Sequence, residues 1–258
     1  MDVSQLGKRA WSYAGVLQDA GVSSLQYVEQ LTMLLFLKMA DQLTEPPYSQ
    51  KPIVPKELGW KSLVALDGAA LEKHYSESIE KLALKPGMLG VIFKGARCDI
   101  HNPALLKQLI VNLIDKEDWM SLSVDVKGTI YEELLKRSAA ESTKGTGQHF
   151  TTRAVIQAMV DVMQPTPQDR ICDPAAGAGG FLRAAYNYVL AKYEKELNRD
   201  EKRALREELV EGMEIDPKVG RLCAMNLYLH GIGGDKVVVQ SGHASLAAAW
   251  STEYSMIL

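Results

Sequence analysis

No excess of one charge marks this sequence: 29 lysines and arginines against 32 aspartates and glutamates leave a net charge of −3 over 258 residues. That excludes a globally basic nucleic-acid coat, although a local groove or a partner subunit can still supply phosphate contacts. Cysteine is scarce too. Cys98, Cys172 and Cys223 are odd in number, widely spaced and free of any Cys-x-x-Cys pair, so neither a disulfide framework nor a zinc knuckle is indicated, and a reducing cytoplasm fits. Long apolar runs are also missing. The N-terminus, MDVSQLGKRAW, lacks a signal core, and the stretch Leu31 to Leu37 is broken by Thr32 and ended by Lys38, far short of the ~20 residues that span a bilayer. The chain is read as soluble and unexported, with no membrane partner. Glycine (20) and proline (10) are too few for a low-complexity chain. What is present is 47% hydrophobic residues, enough for one large core or two smaller ones at roughly 150 residues per domain.

Up to about Ala140 the sequence reads as helix after helix without strand alternation. Ser23 with Gln26 makes a capping-box start; Val28, Leu31, Leu35 and Met39 follow at three- and four-residue steps until Pro46-Pro47 stops the helix. Asn102-Pro103 supplies an N-cap and a proline at N1 for a helix whose stripe is Leu105, Leu106, Leu109, Ile110, Leu113 and Ile114. Asp125 caps a further helix carrying Ile130, Leu134 and Leu135. Between them KPGMLGVIFKGA reads as a loop or short irregular segment. The run Ser142 to Gly147 reads as a linker, dividing the chain into residues 1–141 and 142–258. Beyond it the pattern turns α/β. Helices are expected over Thr152 to Met163, Phe181 to about Glu196 and Lys218 to His230, with strands at Arg170 to Asp173, Leu209 to Glu214, Lys236 to Gln240 and from Tyr254. Charge does not separate the halves, which carry −1 and −2 on either side of residue 140.

The strongest chemical signal is Asp173-Pro174-Ala175-Ala176-Gly177-Ala178-Gly179-Gly180-Phe181 at a strand-to-helix junction, where small residues let a ligand approach the backbone. It has the form of a nucleoside-cofactor loop. It is not the dinucleotide fingerprint, since G-x-G-x-x-G counted from Gly177 needs glycine where Leu182 stands. Asp173 would repel a diphosphate but could pair with an ammonium or sulfonium group. Glu214, closing the next strand, can accept both hydroxyl protons of a ribose. Asp216-Pro217 reads equally as a helix cap. Gln148, His149, Phe150, Thr151, Thr152 and Arg153 precede a helix with hydroxyls and orphan N–H groups that suit a carboxylate. Capping by Thr151 or Thr152 accounts for that segment taken alone; beside a cofactor loop, carboxylate binding does.

GQHFTTRAVIQAMV, DPAAGAGGFL and EGMEIDPKVGRLCAMNLYLHG, in this order and spacing, resemble the N6-adenine DNA methyltransferases that form the modification subunit of type I restriction-modification systems. The N-terminal half, with YVEQLTMLLFLKMADQL and YEELL, is similar to that subunit's N-terminal domain, so the resemblance covers essentially the whole chain. It implies an α-helical N-terminal domain for subunit or DNA interaction, followed by an incomplete α/β Rossmann-like S-adenosylmethionine-dependent methyltransferase domain. By that match the cofactor S-adenosylmethionine is held by Ala176, Gly177, Ala178, Gly179 and Gly180. Gln148 to Arg153 lie near its methionine end, Asp173 near its amino group and Glu214 at its ribose. Implied partners are DNA, a specificity subunit that reads the target sequence, a restriction subunit and a second copy of the modification subunit.

Two features depart from the family. Where such enzymes carry a polar or acidic residue after a glycine to hydrogen-bond the adenine of the cofactor, this sequence has Gly242-His243-Ala244-Ser245-Leu246; either His243 takes that part or the loop has drifted. The family's catalytic Asn-Pro-Pro-Phe segment, due after a strand like Tyr254 to Leu258, is absent. Its Asn side chain and Pro carbonyl accept hydrogen bonds from the exocyclic amine of an adenine flipped from the duplex and direct the lone pair at the methyl group. The chain is therefore expected to be a fragment without a catalytic residue set, inactive alone. A nonenzymatic S-adenosylmethionine-binding or assembly module accounts for the same loops. A nicotinamide dehydrogenase is disfavoured by Leu182 and by the 41 positions from Asp173 to Glu214, against roughly 20 in the dinucleotide pattern.

Overall fold

The computed structural model describes residues 3–49, 51–121, 151–241 and 253–258. Its contacts divide the chain into two compact units, Met1–Lys85 with Phe93–Thr146, and Pro86–Ile92 with Gly147–Leu258. The expected helix after Asp125, the linker Ser142 to Gly147, the 141/142 boundary, Gln148 to Phe150 and His243 lie outside the described residues.

The described part of the first unit is helical. Helix α1 spans Val3–Asp19, α2 Ser24–Gln42, α3 Trp60–Val64 and α4 Gly68–Ala83. α2 starts as its sequence predicts: the Ser23 side chain accepts the Gln26 N–H, and the Gln26 side chain takes the Ser23 N–H in return. It ends at Gln42, before the prolines. Its expected apolar face is too narrow a description, because Tyr27, Leu34 and Leu37 are as buried as Val28 and Leu31. Glu29, Gln30 and Thr32 are buried as well, so α2 is enclosed on all sides and packs against α1 and α3. The Tyr27 hydroxyl donates to the Ala10 carbonyl of α1, and Phe36 meets Phe93 edge to face at 5.6 Å. Because the capping box satisfies donors at both ends of its reciprocal pair, Ser23→Ala should lower stability by about 1 kcal/mol. A thermal midpoint unchanged in this variant would show that α2 is held by packing alone.

Asn102 caps the next helix by accepting the Ala104 and Leu105 N–H groups, with Pro103 at its first position. This helix, α6, runs Pro103–Gln108 and passes directly into a π-helix, Leu109–Ile114, whose last bond is Asp115 N–H to the Ile110 carbonyl at 2.8 Å. The sequence holds the reason. The stripe repeats every four residues, longer than the 3.6 of an α turn, and the wider i→i+5 turn takes up the difference. Leu106, Leu109, Ile110, Leu113 and Ile114 are thus all buried, whereas Leu105 is only half-buried. The π turn delivers Asp115, whose Oδ1 accepts Lys38 Nζ at 2.7 Å and Trp60 Nε1 at 2.8 Å.

The second unit is built on a parallel sheet of order β3-β2-β1-β4, from β1 Ile171–Asp173, β2 Val210–Glu214, β3 Val239–Ser241 and β4 Met256–Ile257. Parallel neighbours need crossovers, supplied by α8 Gly180–Tyr193 and α9 Arg199–Glu208 between β1 and β2, and by α10 Pro217–Leu229 between β2 and β3. Helix α7, Arg153–Met163, precedes β1. Two helices correct the sequence reading. KPGMLGVIFKGA contains α5, Gly87–Phe93, entered through Gly87 at φ +72°. Met88 and Ile92 of α5 are buried, and the Met88 N–H donates to the Gly234 carbonyl, so Pro86–Ile92 joins the sheet unit. Helix α9 shows no apolar stripe in the sequence because Leu205 is its one buried residue; a capping box of Asn198 and Glu201 and charge pairs such as Arg203–Glu207 at 3.3 Å stabilise it instead.

Candidate cofactor site

In this sheet β2 and β3 lie on one side of β1, and β4 lies on the other. β1 therefore sits where the strand order reverses, and in open parallel sheets ligands bind in the crevice outside the carboxyl ends at that switch point. The residue that closes β1 is Asp173, opposite Gly212 of β2. Two positions further along β2 comes Glu214. Forty-one positions apart in sequence, the two carboxylates are brought to the same end of adjacent strands by this register.

Asp173 is 4% exposed, and its Oδ1 accepts the Ala175 N–H at 3.1 Å. Burial pushes its carboxyl up to about 6, against the pull of the Ala175 hydrogen bond and with a further push from Glu214. A buried carboxylate beside another carboxylate is a place for a cation, and a poor one for a diphosphate.

The loop after Asp173 is held from three sides. From β2, the Met213 carbonyl accepts the Ala176 N–H at 2.9 Å and Glu214 Oε2 accepts the Gly177 N–H at 3.0 Å. Within the loop, Gly179 N–H returns to the Ala176 carbonyl at 2.7 Å. From α10, the Asn226 side chain donates to the Ala178 carbonyl at 2.6 Å.

Gly177 and Gly179 both lie in the left-handed region, at φ +53° and +80°, but their surroundings differ. Among the described residues a Cβ at Gly177 would meet nothing within 4 Å, whereas one at Gly179 would lie 3.0 Å from Cys223 Sγ and 3.2 Å from Leu227 Cδ2. Gly177 leaves the loop open to a ligand. Gly179 lets α8 close on α10.

The other expected site residues fall as follows. Thr152 occupies the N-cap of α7, but its side chain makes no capping bond, and Thr151, Thr152 and Arg153 are exposed. Ile156 of α7 would lie 3.0 Å from a Cβ at Gly180, so α7 packs beside the start of α8. Asp216 is a helix cap, its Oδ1 accepting the Lys218 N–H at 2.8 Å, while its own N–H goes to Glu214 Oε1 at 3.0 Å. The Glu214 carboxylate thus holds one backbone N–H on each oxygen. Asn226 is the participant that the sequence did not disclose: an asparagine inside an apolar helical stretch has no local signal, and only its contact with Ala178 gives it a part. Among the described residues, no group of three or more His, Cys, Asp or Glu is arranged to hold a metal ion, and no helix is long and apolar enough to cross a membrane.

Comparison with known proteins places the chain in a family. Residues 122–256 match the family model of the N-6 DNA methylases, and residues 6–113 match that of the HsdM N-terminal domain. The type I restriction enzyme StySPI methylase subunit of Salmonella potsdam is 31% identical over 242 residues, 91% of this chain and 45% of its own length. The EcoKI methylase subunit of Escherichia coli (strain K12) has the same identity and coverage. A solved structure concerned with complex assembly and conformational transition of the type I R-M system is 26% identical, with a TM-score of 0.73, covering 98% of this chain and 54% of that one. The chain spans about half the length of the curated relatives it matches. Its StySPI and EcoKI relatives are methylase subunits of type I restriction enzymes, and with more than half of its residues matched the chain belongs to the N-6 DNA methylase family.

Proposed function

We propose that this chain carries the S-adenosylmethionine site of a type I modification subunit, which methylates adenine N6 in DNA. The observation that supports this reading most is the pairing of Asp173 and Glu214 across a glycine loop at the switch point of the sheet. Asp173 would face the methionine ammonium, whose positive charge would offset the cost of a buried carboxylate. Glu214 would accept the ribose hydroxyls, giving up backbone N–H groups that it holds in the free protein. The open side at Gly177 admits the nucleoside, with Ala176, Ala178, Gly179 and Gly180 completing the loop. Gln148, His149, Phe150, Thr151, Thr152 and Arg153 would hold the methionine end, where the Thr152 hydroxyl, which makes no capping bond, and the N-terminus of α7 suit a carboxylate. The cofactor, when bound, supplies an electrophilic methyl group. DNA, a specificity subunit, a restriction subunit and a second modification subunit are the partners of the whole assembly, and the cytoplasm its compartment.

The 258 residues contain no Asn-Pro-Pro-Phe segment to position an adenine, so this chain is expected to bind cofactor without transferring methyl. Calorimetry should show saturable binding of S-adenosylmethionine and none of NAD. Glu214→Ala should weaken it about 100-fold, since two charge-assisted hydrogen bonds are lost. Absence of binding to the folded chain would sink the cofactor assignment. Turnover in a radiolabelled methyl-transfer assay, on DNA with a specificity subunit added, would overturn the expected inactivity.

A further inference from the structure

Asn226 lies well inside α10, is 1% exposed and donates its Nδ2 to the Ala178 carbonyl at 2.6 Å. That acceptor decides which way the amide points, since the flipped amide would set Oδ1 against a carbonyl oxygen. Oδ1 is left buried without a hydrogen-bond partner among the described residues. An orphaned buried acceptor is destabilising, and an apolar side chain of similar size at this position would avoid that cost. The neighbours of Asn226 on α10 act on the same loop: Cys223 and Leu227 fill the space beside Gly179. Three consecutive loop residues are therefore held by different means. Gly177 is bonded to Glu214, Ala178 to Asn226, and Gly179 is wedged against Cys223 and Leu227.

We propose that Asn226 is a positioning residue for the cofactor loop: its amide commits the Ala178 carbonyl to α10 and so sets the peptide orientation in which Gly177 faces the ligand. The proposal rests on the cofactor reading given above. It accounts for an otherwise costly side chain, because the orphaned oxygen accompanies the donor that the loop requires. A side chain kept for stability alone would not carry that burden.

The test combines calorimetric titration with S-adenosylmethionine, thermal unfolding, and amide hydrogen exchange of the peptide covering residues 174–182 without ligand, on the unsubstituted chain and on Asn226→Leu. The leucine variant should bind about tenfold or more weakly and exchange faster in the loop. Its unfolding midpoint should equal or exceed that of the unsubstituted chain, because the orphaned oxygen is gone and half-buried Ala178 can turn its carbonyl to water. A midpoint that falls in parallel with affinity would make Asn226 merely structural; unchanged affinity with unchanged exchange would dismiss the hydrogen bond. Either overturns the proposal. Asn226→Ser, too short to reach Ala178, serves if the leucine variant does not fold, with the same loss of affinity and faster exchange expected and unchanged values against the proposal. If the unsubstituted chain takes up no S-adenosylmethionine, the cofactor reading falls, whereas the exchange comparison still decides whether Asn226 orders the loop.

Discussion

Asp173→Asn is expected to make the ligand-free protein more stable at neutral pH and to remove its affinity for S-adenosylmethionine. The carboxyl of Asp173 moves from an ordinary 3.8 to about 6 on folding, because burial disfavours its charged form. The folded chain therefore binds the proton more tightly than the unfolded chain does, and stability falls as pH rises from about 4 to about 6. Above that window the full penalty is present. A tenfold change in proton affinity is worth about 1.4 kcal/mol, so the move corresponds to about 3 kcal/mol. Asparagine removes the charge but keeps an oxygen for the Ala175 N–H, now a weaker acceptor, which reduces the net gain to about 1–2 kcal/mol at pH 7.5. The gain should vanish near pH 4, where the aspartate is itself protonated. Urea unfolding at the two pH values measures it, and a variant less stable than the parent at pH 7.5 would contradict the assignment of Asp173 as a strained, functional carboxylate. Binding should weaken at least about 100-fold, because a neutral amide cannot pair with the ammonium group in a site of low dielectric. The same carboxyl makes cofactor affinity fall as pH is lowered through about 6.

The two left-handed glycines of the loop should separate when each is changed to alanine. At Gly179 the substitution pays for a left-handed alanine, about 1–2 kcal/mol, and for a methyl group 3.0 Å from Cys223 Sγ and 3.2 Å from Leu227 Cδ2, a further 1–3 kcal/mol or so of overpacking. Cys223 and Leu227 are fully buried, so neither can swing aside. Gly179→Ala should lose about 2–5 kcal/mol of stability, with affinity following. At Gly177 the backbone cost is similar, but the methyl meets nothing within 4 Å among the described residues. Gly177→Ala should remain folded, losing about 1–2 kcal/mol, and should lose most of its affinity because the methyl occupies the path of the ligand. Paired melting and titration experiments decide this. Wild-type affinity in Gly177→Ala would mean that the open side of the loop is not the side the cofactor uses.

Much of the fold was legible because its signals are local. Ser23 with Gln26, Asn102 with Pro103 and Asp216 with Pro217 each announce a helix start within four residues of sequence, and the small residues after Asp173 announce a turn that a ligand can approach. The four-residue stripe of Leu105 to Ile114 was visible too, but not its consequence, since a repeat alone does not say whether α turns drift or a π turn corrects them. Helix α9 offers no apolar stripe, and in the α5 segment three glycines and a proline outweigh Met88, which packs beside Gly233 and bonds to Gly234 far along the chain.

The sequence by itself determined the chemical inventory of this protein: which residues can cap, turn, carry charge or stay small enough for a ligand to come close, because those properties reside in each residue and its near neighbours. Only the tertiary structure decided the order of the strands, the register that sets Asp173 opposite Gly212 and near Glu214, and the reach of Asn226 to Ala178 across 48 positions. These depend on packing between segments far apart in the chain, where burial of the whole surface, not the preference of any one stretch, selects the arrangement.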